Sequence, residues 1–372
     1  MTTTLPDLAV RTLGGAVIAA NDEFFADKEN LIRPEAPVFS PQTFNVKGQV
    51  YDGWETRRRR TEGHDFAMVR LGLPGVPRTV VVDTANFTGN YPPECSVEAI
   101  AADGYPSPEE LLADDWVTIV PRSPLRGDSR NEFTVVTEQR FTHVRLSIYP
   151  HGGVARLRVH GVPLPDPREL LDVPVDVAAM ANGGRAVACS DSFFSKPDNM
   201  LQPGDSRFMS DGWETARRRD DGHDWAIVAL AGQALPRVLE LATTHYKGNS
   251  PERAALWGLD AGSDDAVPGP SASWFPLLPR TRLQPDTTHR FRLDPVKPVT
   301  HVMLDIHPDG GIARLRLYGR LTDHGWQDLT LRWLNGLPDA RAAAVLTAAG
   351  LDAAAVLAAR PLRTLPAELA LG

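Results

Sequence analysis

Two stretches decide the fold: Asp52-Gly-Trp-Glu-Thr-Arg-Arg-Arg-Arg60, followed by Gly63-His-Asp-Phe-Ala67, and Asp211-Gly-Trp-Glu-Thr-Ala-Arg-Arg-Arg219, followed by Gly222-His-Asp-Trp-Ala226. Further blocks repeat in the same order. Phe87-Thr-Gly-Asn90 answers Tyr246-Lys-Gly-Asn249, and Trp116–Arg122 answers Trp274–Arg280. Thr142-His-Val144 answers Thr300-His-Val302, and Gly152-Gly-Val-Ala-Arg-Leu-Arg158 answers Gly310-Gly-Ile-Ala-Arg-Leu-Arg316. Upstream, Asp22-Glu-Phe-Phe25 pairs with Asp191-Ser-Phe-Phe194. Matched blocks in one order at nearly one spacing mark a tandem duplication.

Each copy reads as strands. Val69, Leu71 and Leu73 alternate with other residues, as do Val144, Leu146 and Ile148, the period of a strand with one buried face. Val80–Asp83 and Trp116–Val120 are more continuously apolar, which predicts strands near the centre of a sandwich. With 32 Pro and 30 Gly punctuating short apolar runs, turns recur about every 8–12 residues, the texture of antiparallel jelly rolls. The expected organisation is all-β: a first jelly-roll repeat over 1–162, a linker over 163–186, a second repeat over 187–322, and a helical tail over 323–372. In that tail Asp339 and Asp352 are expected as helix N-caps and Gly350 as a stop. Such short helices must dock on the sandwiches or mediate assembly.

The net charge of −8 argues against general nucleic-acid binding. The run Arg57–Arg60 is better explained by the repeat, whose second copy keeps three arginines, than by a nuclear-targeting signal. Two cysteines, Cys95 and Cys189, stand at unrelated places in the copies, so neither a disulfide framework nor a zinc motif is expected. Met1–Val10 lacks the pattern of a secretory signal, and no apolar stretch approaches the ~20 residues of a membrane span. No membrane association and a cytoplasmic location are the expectations.

The constellation Asp-Gly-Trp-Glu-Thr-x-Arg-Arg, Gly-His-Asp-(aromatic), (aromatic)-x-Gly-Asn and Gly-Gly-(Val/Ile)-Ala-Arg-Leu-Arg, present twice over about residues 15–320, resembles the allantoicase family. The resemblance implies a pair of galactose-binding-like jelly rolls in a homo-oligomer. It also implies a hydrolase acting on a non-peptide C–N bond, which converts allantoate to ureidoglycolate and urea. Trp333–Pro338 through Ala358–Arg363 is similar to the N-terminal helices of ureidoimidazoline decarboxylases; only that opening segment is present, so decarboxylation is not implied. Two other readings stand beside this one. The first is a non-catalytic sugar- or ligand-binding jelly roll, since fold alone does not decide function; the second is an enzyme that removes urea from ureidoglycolate.

Loss of urea from allantoate breaks a C–N bond at an aminal carbon. It calls for a carboxylate anchor, hydrogen bonds to ureido groups, an acid for the departing urea and a base for water. Arginine suits the anchor, and His with Asp or Glu the proton steps. Candidate anchors are Arg57, Arg217 and the strand pairs Arg156/Arg158 and Arg314/Arg316, whose guanidinium groups are expected roughly 7 Å apart on an outer face. Candidate proton handlers are His64, Asp65 and Glu55 in the first copy and His223, Asp224, Glu214 and His245 in the second. Asn90 and Asn249 suit the ureido groups, with Lys247 a further binding candidate. Each has a structural alternative: the strand arginines as a solvated outer face, Gly-His-Asp as a turn, Asp-Gly-Trp-Glu-Thr as a turn around a core Trp, and Gly-Asn as a tight turn. The second copy has His245, Lys247 and His307 where the first has Asn86, Thr88 and Tyr149, so the second copy or the boundary between copies is expected to hold the site. No cofactor is expected; a divalent metal on His64/Asp65 or His223/Asp224 is the alternative, though no defined ligand spacing supports it.

Overall fold

The computed structural model describes residues 5–46, 48–262, 267–294 and 297–369. It is an all-β pair of sandwiches followed by helices. Each copy is organised by one 19-residue strand, Asp65–Asp83 or Asp224–Ala242. The first half of Asp65–Asp83 pairs with Ala16–Ala20 and Phe141–Tyr149, and the second half with Arg130–Thr134 and Arg156–Pro163. Its register breaks between Arg70 and Gly75, where its partners change from one set of strands to the other. The second copy repeats every one of these pairings.

The alternating residues behave as their period requires. Val69, Leu71 and Leu73 are buried, as are Val144, Leu146 and Ile148 from the neighbouring strand, and each such side chain contributes about 1.5–3 kcal/mol. One expectation is corrected. The sheet runs Ala16–Ala20, Asp65–Asp83, Phe141–Tyr149, Glu94–Ile100, Val117–Pro124, which puts the last of these at an edge rather than the centre. Its prolines, Pro121 and Pro124, cannot donate to a further ladder, so they suit that edge.

The stretch expected as a linker is ordered. Pro167–Glu169 forms a 3₁₀ turn, and Val175–Asp176 pairs with Tyr318–Gly319 of the second sandwich. Beyond it lie α2 (Asp323–Gly336), α3 (Asp339–Ala348) and α4 (Ala353–Ala358), whereas α1 (Pro108–Leu112) belongs to the first copy. Asp352 caps α4 by accepting from the Ala354 and Ala355 N–H groups. Asp339 sits one place further in than expected; Pro338 is the cap of α3, and Asp339 opens its first turn. Gly350, at φ +78°, follows α3 as a stop.

The helices dock on both sandwiches. Leu329 of α2 packs with Val76, Leu164 and Leu170, and Trp326 Nε1 donates to the Pro167 carbonyl at 2.9 Å. From α3, Arg341 reaches the first copy, donating to the Ala101 carbonyl at 2.7 Å and to Asp114 at 2.9 Å. No helix of the described residues is long and apolar enough to cross a membrane.

Candidate active site

Trp54–Glu55 is a two-residue strand paired with Gly153–Val154. Successive side chains point to opposite sides, so Trp54 enters the core, its Nε1 donating to the Asp22 carbonyl at 2.7 Å, while Glu55 turns outward. Asn90 crosses to meet it: Nδ2 donates to Glu55 Oε1 at 2.7 Å, while the Asn90 carbonyl accepts the Gly153 N–H at 2.8 Å. The adjacent Gly152 has φ +149°, and a Cβ there would lie 2.6 Å from the Pro92 nitrogen, so this close crossing requires glycine.

A cavity of about 490 Å³ opens at this crossing, lined by Phe25, Glu55, Arg58, Asn90, Tyr91 and His151 among others. Burial raises the Glu55 carboxyl above its ordinary pKa, and the Asn90 donor opposes that shift without cancelling it. His151 Nδ1 is buried and has no hydrogen-bond partner among the described residues. Arg58 is exposed at the cavity with no ion-pair partner among the described residues. Its neighbours are committed elsewhere: Arg57 to Asp22 at 2.6 Å and Arg59 to Asp65 at 3.2 Å. The site thus joins an unpaired guanidinium, a carboxyl whose pKa burial raises, an imidazole and an amide.

The second copy keeps half of this. Asn249 Nδ2 donates to Glu214 Oε1, and Arg217, the counterpart of Arg58, is exposed. Asp309 replaces His151, and its Oδ2 accepts the Arg218 N–H at 2.9 Å. Ser250 replaces Tyr91. No imidazole stands at that place.

The remaining candidates lie apart from the cavity lining. His64 packs on Tyr149 with ring centroids 4.8 Å apart, and burial first, then Arg145 and Arg59, lower its pKa. Asp65 accepts from Asn21 and Arg59, and Asp224 from Ser190 and Arg218. These aspartates pin arginines of the basic run to the sandwich. His223 packs on His307, while His245, at φ +73°, hydrogen bonds through Nε2 to the Ser206 carbonyl at 2.8 Å. Lys247 is largely exposed, 3.8 Å from Asp286. The second-copy residues expected to mark the site therefore serve a turn, a surface and a separate cluster.

The arginine anchors also need correction. The outer face carrying Arg156 and Arg314 is not solvated. Arg156 is 1% exposed and donates to the Glu35 and Asp52 carbonyls and to Asp52 Oδ2. Arg314 donates to the carbonyls of Asn199, Gly204 and Asp205. Arg158 pairs with Asp7 at 3.4 Å, and Arg316 donates to the Gln202 and Gly204 carbonyls. Strand alternation places these guanidinium groups on one face, but covering loops use their donors. Arg57 is replaced at the cavity by Arg58, one residue on.

The allantoicase repeat family matches residues 6–164 and 175–322, both copies of this architecture. The chain belongs to the allantoicase family. Among similar proteins, one from Nocardia farcinica named probable allantoicase is 56% identical over 322 residues, covering 86% of this chain and 95% of that one. Its Streptomyces coelicolor namesake is 51% identical over 339 residues, covering 88% of each. The solved allantoicase of Saccharomyces cerevisiae superposes with a TM-score of 0.71 at 33% identity, covering 84% of this chain and 92% of that one. The family match stops at residue 322, so α2–α4 lie outside the allantoicase repeats.

Proposed function

We propose that the chain hydrolyses allantoate to ureidoglycolate and urea, and that the Glu55 cavity of the first copy carries out the reaction. Family membership over both repeats supports the activity. The observation that carries the location is the grouping of Glu55, Asn90, Arg58 and His151 around one cavity, set against the loss of the imidazole in the second copy.

Arg58 binds the substrate carboxylate through its planar fork. Asn90, which both donates and accepts, holds Glu55 through Nδ2 and is placed beside a ureido group. Glu55, whose burial favours the protonated form, gives its proton to the nitrogen of the departing urea as the aminal C–N bond breaks. His151 accepts a proton from the water whose oxygen forms the new C–O bond. Glu55 is then reprotonated from His151 or solvent, and the balance is one water consumed per urea released. The resemblance also carries a homo-oligomer in the cytoplasm, without a membrane or nucleic-acid partner.

A urea and glyoxylate assay with allantoate, ureidoglycolate and allantoin as separate substrates tests the activity. Urea from allantoate without glyoxylate supports it. Glyoxylate from ureidoglycolate would favour the urea-releasing alternative, and no product from any of the three a binding module.

A further inference from the structure

On the second sandwich, Asp305 and His307 are alternate residues of the strand Val299–His307 and share its outer side. His223, in the turn before Asp224–Ala242, lies over both. Its Nε2 is 3.5 Å from Asp305 Oδ1, and its ring centroid is 4.5 Å from that of His307. One ligating atom from each of the three side chains falls within 4.8 Å of the other two. Asp305 is 6% exposed. Its Oδ2 accepts from Trp257 Nε1 at 2.8 Å, but Oδ1 has only the 3.5 Å approach of His223 Nε2 and no close hydrogen bond among the described residues. A buried carboxylate oxygen left so is costly, and a cation shared with two imidazoles would satisfy it.

We propose that His223, Asp305 and His307 form a divalent transition-metal site on the second sandwich, separate from the Glu55 cavity. Two imidazole nitrogens and one carboxylate oxygen suit borderline cations such as Zn²⁺ or Co²⁺ over Mg²⁺ and Ca²⁺, which favour oxygen alone. Three protein ligands leave at least one position for water. The duplication supplies an internal control, because the first copy has His64, Ser147 and Tyr149 at the same places. Only the second copy places two imidazoles and a carboxylate together.

Two neighbours tune the site. Trp257 orients Asp305 from behind, a partner of the kind whose loss lowers metal affinity about 10–100-fold. Arg280 Nη2 donates to His307 Nδ1 at 3.0 Å and so holds a lone pair that a metal can use. Arg280 is exposed, so the guanidinium can swing into solvent when a cation enters. It competes with metal, and its removal tightens binding.

Titration of the full chain with Co²⁺, followed by visible absorption, tests the proposal. The expected result is a saturable d–d band at one equivalent that excess Zn²⁺ abolishes. The band should be tighter in Arg280→Gln, about 10–100-fold weaker in Trp257→Phe, and absent in Asp305→Ser/His307→Tyr. That double variant restores side chains which the first sandwich already accommodates, so its fold, checked by circular dichroism, is expected to persist. Absence of a saturable band in the unaltered chain, or an unchanged band in the double variant, would overturn the assignment.

Discussion

Glu55 meets Asn90 through a single hydrogen bond, and that bond opposes the rise in carboxyl pKa that burial causes. Asn90→Ala leaves burial unopposed and raises the Glu55 pKa further. With Glu55 as the acid, the alkaline limb of kcat/KM against pH then moves to higher pH, while the rate at the plateau falls. A limb that stays in place would remove Glu55 from the proton step. Arg58→Met tests the anchor: loss of a charge-assisted contact worth about 1.5–3 kcal/mol raises KM for allantoate roughly tenfold or more, with kcat less affected. At this scale, residue type made Glu55 and Asn90 legible, because a carboxyl and an amide recur in both copies. Among four adjacent arginines, type says nothing about which one is free. The side chains of Asp22 and Asp65, brought in by folding, take Arg57 and Arg59. His151 left a faint signal, the mismatch with Asp309 just before the paired glycines, which gains meaning only once the cavity is seen.

Strand alternation correctly puts Arg156 opposite Leu157, but periodicity is silent on what covers the outer face. Here Glu35 and Asp52 close over it, and the Arg156 guanidinium fastens both. Arg156→Met removes one partner of a buried ion pair and should lower the unfolding free energy by about 3 kcal/mol in urea titration. Early proteolysis between residues 36 and 50 should accompany it. The Thr-His-Val strands contribute a pH dependence. Burial lowers the pKa of His143 to about 4, and does the same for His301. Their unfolded value is 6.5, so between these limits the unfolded chain binds more protons and stability rises with pH. Acidification from about 6.5 toward 4 should therefore lower Tm, and His143→Gln/His301→Gln should flatten that loss in a thermal melt series. A double variant as acid-sensitive as the parent would contradict this.

Over the whole molecule, the tandem organisation was legible from the duplication, and the sandwiches from period-two strands and recurring turns. The docking of the tail was not, because a helical pattern does not name the partner of its apolar side. Leu329 of α2 fills the space between Val76, Leu164 and Leu170, so Leu329→Ala should cost about 3 kcal/mol, read from denaturant midpoints. The two sandwiches share a backbone plan yet diverge around Glu55 and Glu214, and the account rests on that divergence. Steady-state allantoate turnover by Glu55→Gln and Glu214→Gln, assayed side by side, addresses it most directly. The expected result is a kcat lower by about 10²–10⁴-fold for Glu55→Gln and near the parent value for Glu214→Gln. Full activity in Glu55→Gln, with its loss in Glu214→Gln, would contradict the account.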